Sequence, residues 1–283
     1  MKDGCHVEGA DKGIEKLNNY TNIDKIIDIK KYDTDLETVI NGDKELASCV
    51  DKYQKEGFIP VTLGGDHSLG IGSLAGSHAN NKNLGVIWLD THPDINTNKT
   101  TTTFNIHGYP LAASMGFGQD ELTKLYQDEI KVDYKNVILF GINDIDDPEQ
   151  ELIDKYNIKT FTYQYINEVG IDKAINEAIE YMKSRTNSVH VSFDIDAIND
   201  KECPGVNVPS RWNLGITKEE ALKAFERFNK ELEIVSLDIV EFNPLTDKED
   251  KSLNIVLDAI KTINSRRLFI GNLKFLLTLT PDG

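Results

Sequence analysis

The chain has 283 residues, 39% hydrophobic and 28% charged, a composition that can bury a core and excludes wholesale disorder. With 31 Lys and Arg against 47 Asp and Glu, the net charge is −16, which disfavours nucleic acid and anionic membrane as partners and favours cations. No apolar run approaches the ~20 residues that span a bilayer, the first ten residues hold no secretory stretch, and Cys5, Cys49 and Cys203 form no CxxC pair, so a reducing cytoplasm is expected rather than a disulfide framework or structural zinc.

In chain order, Leu46, Val50 and Tyr53 predict a helix over 43–56, followed by strands at 59–63 and 84–90. Further strands are predicted at 136–142 and 158–163. A helix over 170–184 follows from Ile171, Ala174, Ala178 and Tyr181. A strand at 188–196, a helix over 217–230 and a strand at 233–240 complete the series. Thr217 with Glu220 three positions on is the capping-box signature that opens that last helix. The strands are nearly continuous in apolar character, as strands buried on both faces are. No repeat, linker or low-complexity tract interrupts them, so 1–283 reads as one domain. Alternating strands and helices predict a three-layer α/β/α fold around a mainly parallel sheet. In such folds ligands bind beyond the carboxyl ends of the strands.

Those ends are rich in carboxylates. VTLGGDHS carries Asp66 and His67, VIWLDTHPD carries Asp90, His92 and Asp94, and VHVSFDID carries Asp194 and Asp196. VSLDIVEFNP ends in Asp238 and Glu241. The side-chain period of two in extended backbone puts Asp90, His92 and Asp94 on one side, and likewise Asp194 with Asp196. Clustered carboxylates repel and resist desolvation, and a bound cation removes both costs. His67, His92, Asp90, Asp94, Asp194 and Asp196 make six ligands, and four carboxylates balance two divalent ions. The oxygen-rich set favours Mn²⁺ or a similar hard ion over structural zinc. Two such ions can hold hydroxide at neutral pH, the core of a hydrolase. Asp66 and Asp238 have a simpler explanation as a cap or turn residue. His6, His78 and His190 are expected to be ordinary hydrogen-bonded histidines. DIDAIND fails the EF-hand pattern, and GGDHSLGIGSLAG lacks the GK[ST] of a phosphate loop.

GGDHS, DTHPD and SFDID in this order resemble the ureohydrolase superfamily of arginases, agmatinases and formimidoylglutamases, from roughly Gly9 to Leu257. The resemblance implies a three-layer fold with two Mn²⁺ ions on the six ligands above, Asp94 and Asp194 serving both ions or holding the bridge side. DINTNKTTTTFNIHGYPLA looks most like the arginases. It implies hydrolysis of L-arginine to L-ornithine and urea by a metal-bridging hydroxide. By that likeness Asn96 and Thr103 contact the α-carboxylate, Asn105 is a further polar contact, and His107 is a mobile proton shuttle. GINDID resembles the loop that meets the α-amino group, through Asp146 with Glu149 nearby. Glu241 pairs with the guanidinium, and Asp194 helps stabilise the tetrahedral intermediate. A trimer or hexamer of this chain is implied as well.

Four departures qualify the match. Asn199-Asp200 stands where Asp-Pro is common. Val208 stands where arginases place a Thr at the guanidinium end. The first strand of the family is missing before MKDGCHVEGADKG, which would leave a neighbouring strand edge open. The tail SRRLFIGNLKFLLTLTPDG does not match the usual one. The alternatives are an agmatinase or formimidoylglutamase, or a catalytically silent metal-binding homologue. A two-metal phosphoesterase lacks the Lys/Arg cluster that would hold phosphate.

Overall fold

The computed structural model describes residues 1–267 and 276–281. Six strands form the centre of the sheet, all parallel, in the order β2, β7, β6, β3, β4, β5. They span Val61–Leu63 (β2), Gly85–Leu89 (β3), Val137–Ile142 (β4), Lys159–Thr162 (β5), Val189–Asp194 (β6) and Ile234–Val240 (β7). These are the six strands expected from the apolar runs, trimmed at their ends. Helices at Asp35–Lys55, Ile171–Lys183 and Lys218–Glu231 match the three predicted ones. The first begins earlier than expected because Thr34 and Glu37 form a reciprocal capping box.

Alternation along each central strand divides the core into two. Ile87 and Leu89 join Ile138, Phe140, Val191 and Phe193 under the helices Ile171–Lys183 and Lys218–Glu231. Val86 and Trp88 point the other way, with Val137, Leu139 and Leu74. A layer of helices therefore covers each face, as the three-layer reading requires. On the second face the helix Gly70–Asn80 packs against Asp35–Lys55. Its glycines explain the closeness. A Cβ at Gly72 would lie 2.5 Å from the Asp43 carbonyl, and one at Gly76 2.5 Å from that of Ala47.

Beyond β2 lies a strand from the far end of the chain. Leu276–Pro281 (β8) pairs in parallel with β2, and Lys25–Ile29 (β1) pairs in parallel with β8, outside the six-strand centre. The edge expected to lie open is thus covered, which satisfies the backbone donors and acceptors of β2. Residues 268–275 and 282–283 of the tail singled out above lie outside the described residues. Among the described residues no helix is long and apolar enough to cross a membrane. The three cysteines are free.

Candidate active site

Four neighbouring strands deliver buried polar groups to one end of the sheet. His67 follows β2, Glu241 follows β7, Asp194 ends β6 and Asp90 follows β3. All four are fully buried or nearly so. The His67 Nδ1 lies 3.1 Å from a carboxylate oxygen of each of Asp90, Asp94 and Asp194. It forms a hydrogen bond with none of them, and the facing Oδ2 of Asp90 is likewise unsatisfied. The ring is fixed from behind by Ser192, whose Oγ is 2.8 Å from Nε2, and by stacking on Trp88 at 3.9 Å. Such outer contacts settle which nitrogen faces a ligand. A second group lies alongside. The His92 Nδ1 is 3.1 Å from Asp196 and 3.6 Å from Asp90.

All six expected ligands therefore meet, but extended-strand alternation is not what brings them together. β3 stops at Leu89 and β6 at Asp194, and turns gather the rest. The Asp90 carboxylate accepts from the His92 N–H at 2.7 Å, and Asp194 accepts from the Asp196 N–H at 2.8 Å. Asp94 adopts a left-handed φ of 52° and Glu241 one of 68°, conformations that cost non-glycine residues energy and persist where the surroundings impose them. Asp90 belongs to both groups, with Oδ2 toward His67 and Oδ1 toward His92. Its strand end lies between the two imidazoles.

The electrostatics fit a pair of cations. Burial raises the Asp194 carboxyl well above its usual range, and the charges of Asp196 and Asp90 add to the effect. Burial and Asp90 raise Asp94, and burial with Asp90 pushes Asp196 up to about 7. Burial opposes the charge on both imidazoles, yet the carboxylates outweigh it and hold His67 and His92 well above their ordinary value. Burial also opposes ionisation of Asp90, but His67 and His92 prevail and lower it. These shifts together oppose a cluster of bare carboxylates and call for a positive counter-charge. Metal ions would supply it, releasing protons on binding. The orphaned, converging atoms His67 Nδ1 and Asp90 Oδ2 suit a coordinated ion.

Above this floor opens a cavity of about 280 Å³. Asn96, Thr103, Asn105, His107, Asp146, Glu149 and Val208 all line it, with His92 and Asp94 at its base. His107 Nδ1 lies 3.2 Å from Glu241 Oε1. Burial opposes its charge, but Glu241 and then Asp94 prevail and raise it to about 8. Glu241 is already engaged. Its Oε1 also accepts from the His67 N–H at 2.6 Å, and its Oε2 accepts from Asn207 at 2.5 Å. Glu149 is similarly engaged. Its oxygens accept from the N–H groups of Ile95 and Asp146, bracing two loops of the cavity wall. Burial, with Asp94 nearby, pushes its carboxyl up to about 8. Asn96 donates to Asp146 Oδ2 at 3.2 Å.

The residues set aside behave as expected, with one exception. Asp66 accepts from the N–H groups of Gly4 and Ser68, a turn role. His78 meets Glu129 and His6 meets Asp35. Asp238 is not a cap. It sits mid-strand in β7, 2.5 Å from the Ser73 hydroxyl and 3.1 Å from His190, in a buried polar network behind the site. Sequence reasoning missed Asn207, Ser192 and Arg211. Ser192 lies inside SFDID and Asn207 directly precedes Val208, but neither residue type signals its role by itself. Arg211 was detectable only as a lone cation between Pro209 and Trp212 in an acidic chain. Its guanidinium meets Asp144 at 3.0 Å and Asp146 at 2.5 Å.

Comparison with known proteins agrees with this geometry. The arginase family model matches residues 8–263. An arginase from Bacillus caldovelox is 36% identical over 233 residues, covering 82% of this chain and 77% of its own length. The crystal structure of an arginase from Bacillus subtilis superposes with a TM-score of 0.83 at 33% identity, covering 93% of this chain and 95% of that one. That of Entamoeba histolytica arginase in complex with L-ornithine gives 0.73 at 32% identity, covering 81% and 77%.

Proposed function

The chain belongs to the arginase family and is a hydrolase of amidine C–N bonds; from that premise we propose that it hydrolyses L-arginine to L-ornithine and urea with two Mn²⁺ ions. The observation that carries the reading is the convergence of His67, Asp90, Asp94 and Asp194 beneath a cavity of amino-acid size whose walls present Asn96, Thr103 and Asp146. His67, Asp90, His92, Asp94, Asp194 and Asp196 would hold the ions. Bound there, they would lower the pKa of water and supply the attacking hydroxide.

The chain's own residues do the rest. The guanidinium enters toward the floor, and the α-amino acid head stays at the mouth. Asn96, Thr103 and Asn105 hold the α-carboxylate by neutral hydrogen bonds, and Asp146 meets the α-amino group. Glu149 keeps Asp146 and the backbone at Ile95 in register for this. Water adds to the guanidinium carbon and its bond to the ε nitrogen breaks. His107, protonated at neutral pH through its contact with Glu241, gives the leaving amine its proton. Glu241 pairs with the guanidinium as well, since Oε2 accepts only the one bond from Asn207 and keeps a further lone pair, and it also holds His107 and the turn at His67.

Val208 in the cavity wall offers no hydroxyl to a guanidinium, which favours weighing formimidoylglutamate as an alternative, with agmatine tested beside it. One assay separates these readings. Mn²⁺-loaded protein is offered L-arginine, agmatine and formimidoylglutamate, with urea or formamide release as the readout. Turnover of arginine alone is expected. Turnover of another substrate would discard the specificity and keep the metal core, and none at all with two ions bound would point to a silent homologue. We also place the enzyme in the cytoplasm as a homo-oligomer, a trimer or hexamer, which light scattering on the purified protein checks.

A further inference from the structure

Arg211 stands apart from every role assigned so far. Among the described residues lining the cavity it alone carries a permanent positive charge, against Asp94, Asp144, Asp146 and Glu149. Its Nε lies 3.0 Å from Asp144 Oδ1 and its Nη2 2.5 Å from Asp146 Oδ1, while its own N–H donates to Asp144 Oδ2 at 3.3 Å. Asp144 is 6% exposed and Asp146 30%, whereas the arginine side chain is 57% exposed. The two aspartates therefore anchor the guanidinium at the mouth rather than bury it. A guanidinium has five N–H donors, and two carboxylate contacts leave others to spare.

We propose that Arg211 is a specificity-determining residue that binds the α-carboxylate of the substrate. An amino acid head is a zwitterion. Arg211 beside Asp146 is its charge-reversed image, a cation for the carboxylate and an anion for the ammonium, set side by side. At the mouth, beside Asp144 and Asp146, an α-carboxylate without Arg211 would meet like charge. Asn96 and Thr103 offer hydrogen bonds but no countercharge. The guanidinium is also held in place before substrate arrives, so little side-chain freedom is lost on binding, and its planar fork suits a carboxylate. The inference rests on the proposed α-amino acid substrate and adds the group that would reject analogues lacking the carboxylate.

The test uses Mn²⁺-loaded full-length protein and two probes differing only in that group, L-ornithine and 1,4-diaminobutane, titrated calorimetrically into the wild type, Arg211→Gln and Arg211→Lys. Arg211→Gln is expected to weaken L-ornithine by about tenfold, the worth of a charge-assisted hydrogen bond, and Arg211→Lys to recover part of the loss. Diaminobutane binding should stay the same or tighten, because Asp144 and Asp146 are released to meet a cation. Equal weakening of both probes would reduce Arg211 to a prop for its loop, and unchanged L-ornithine binding, or none by the wild type, would also overturn the proposal. A wild type that binds L-ornithine but releases no urea from L-arginine would instead overturn the proposed reaction and leave the Arg211 comparison readable.

Discussion

The floor of the site and its rim are built by different means. The floor hangs from four adjacent strand ends, and His67, Asp90, Asp194 and Glu241 are each at most 2% exposed. Every ring and carboxylate there has neighbours on all sides. The rim consists of loops around 96–107, 144–149 and 207–212, where Phe104 is 70% and Trp212 62% exposed. The floor thus has one arrangement dictated by the sheet. The rim is held by a handful of hydrogen bonds, and there a substitution changes what enters more than what reacts. Chemistry placed on rigid strand ends with selection placed on loops is what allows one scaffold to serve several substrates.

The sharpest way to break this contrast is at the floor. Asp194→Asn removes one converging carboxylate oxygen while preserving shape. Metal content by mass spectrometry and urea release should both fall to background, and circular dichroism should keep the native spectrum. Normal turnover in that variant would sink the ligand assignment. Dialysis against a chelator is the milder version. Activity should vanish and return with Mn²⁺, and the melting temperature should rise on reloading, because any ligand bound only by the folded state stabilises it.

The next largest effect falls where floor meets rim. His107→Asn should lower kcat by roughly 10²–10⁴-fold, the usual worth of a positioned acid, with little change in KM. The same residue predicts a pH dependence in the metal-free protein. Its folded pKa of about 8 lies above the ordinary value of 6.5. The protonated ring therefore adds stability that is complete below pH 6.5 and disappears as the pH rises through 8, on the order of 2 kcal/mol. Denaturant melts of metal-free wild type and His107→Asn should accordingly converge across that window. A gap that widens with rising pH would contradict the His107–Glu241 pairing.

The same contrast explains what could be read from sequence. Strands β2 to β7 were legible because burial on both faces demands near-continuous apolar runs, and their ends carry the polar groups that converge on the floor. The half-exposed KIIDI of β1 was not, since only Ile27 and Ile29 are buried. The helix Gly70–Asn80 was hidden because its glycines serve close packing against a neighbouring helix, a tertiary cause invisible in local propensity. That the strand-end Asp and His residues converge was legible, but how Asp90 comes to face both imidazoles was not. That depends on how turns orient Asp90, and alternation stops where the strand does. On the rim, the engagement of Glu241 by Asn207 and of Asp146 by Arg211 joins residues 34 and 65 positions apart through loops without periodicity.

Two rim substitutions then gauge how far selection can be separated from reaction. Asp146→Ala should raise KM for L-arginine by about tenfold while kcat holds, since it removes one charged contact to the α-amino group. Unchanged kinetics would count against the arginine reading. Thr103→Val is gentler still. The Thr103 hydroxyl lies 3.3 Å from the Asn105 N–H and 3.4 Å from Thr101 Oγ1, all within an exposed loop. Valine keeps the shape and removes one neutral hydrogen-bonding group, so KM should rise only a few-fold and the melting temperature should not move. Because water can replace an exposed hydroxyl, the loss must come from the bound state alone. A fall in kcat as large as the rise in KM would mean that this loop also positions His107, four residues on, and that floor and rim are not separable at this point.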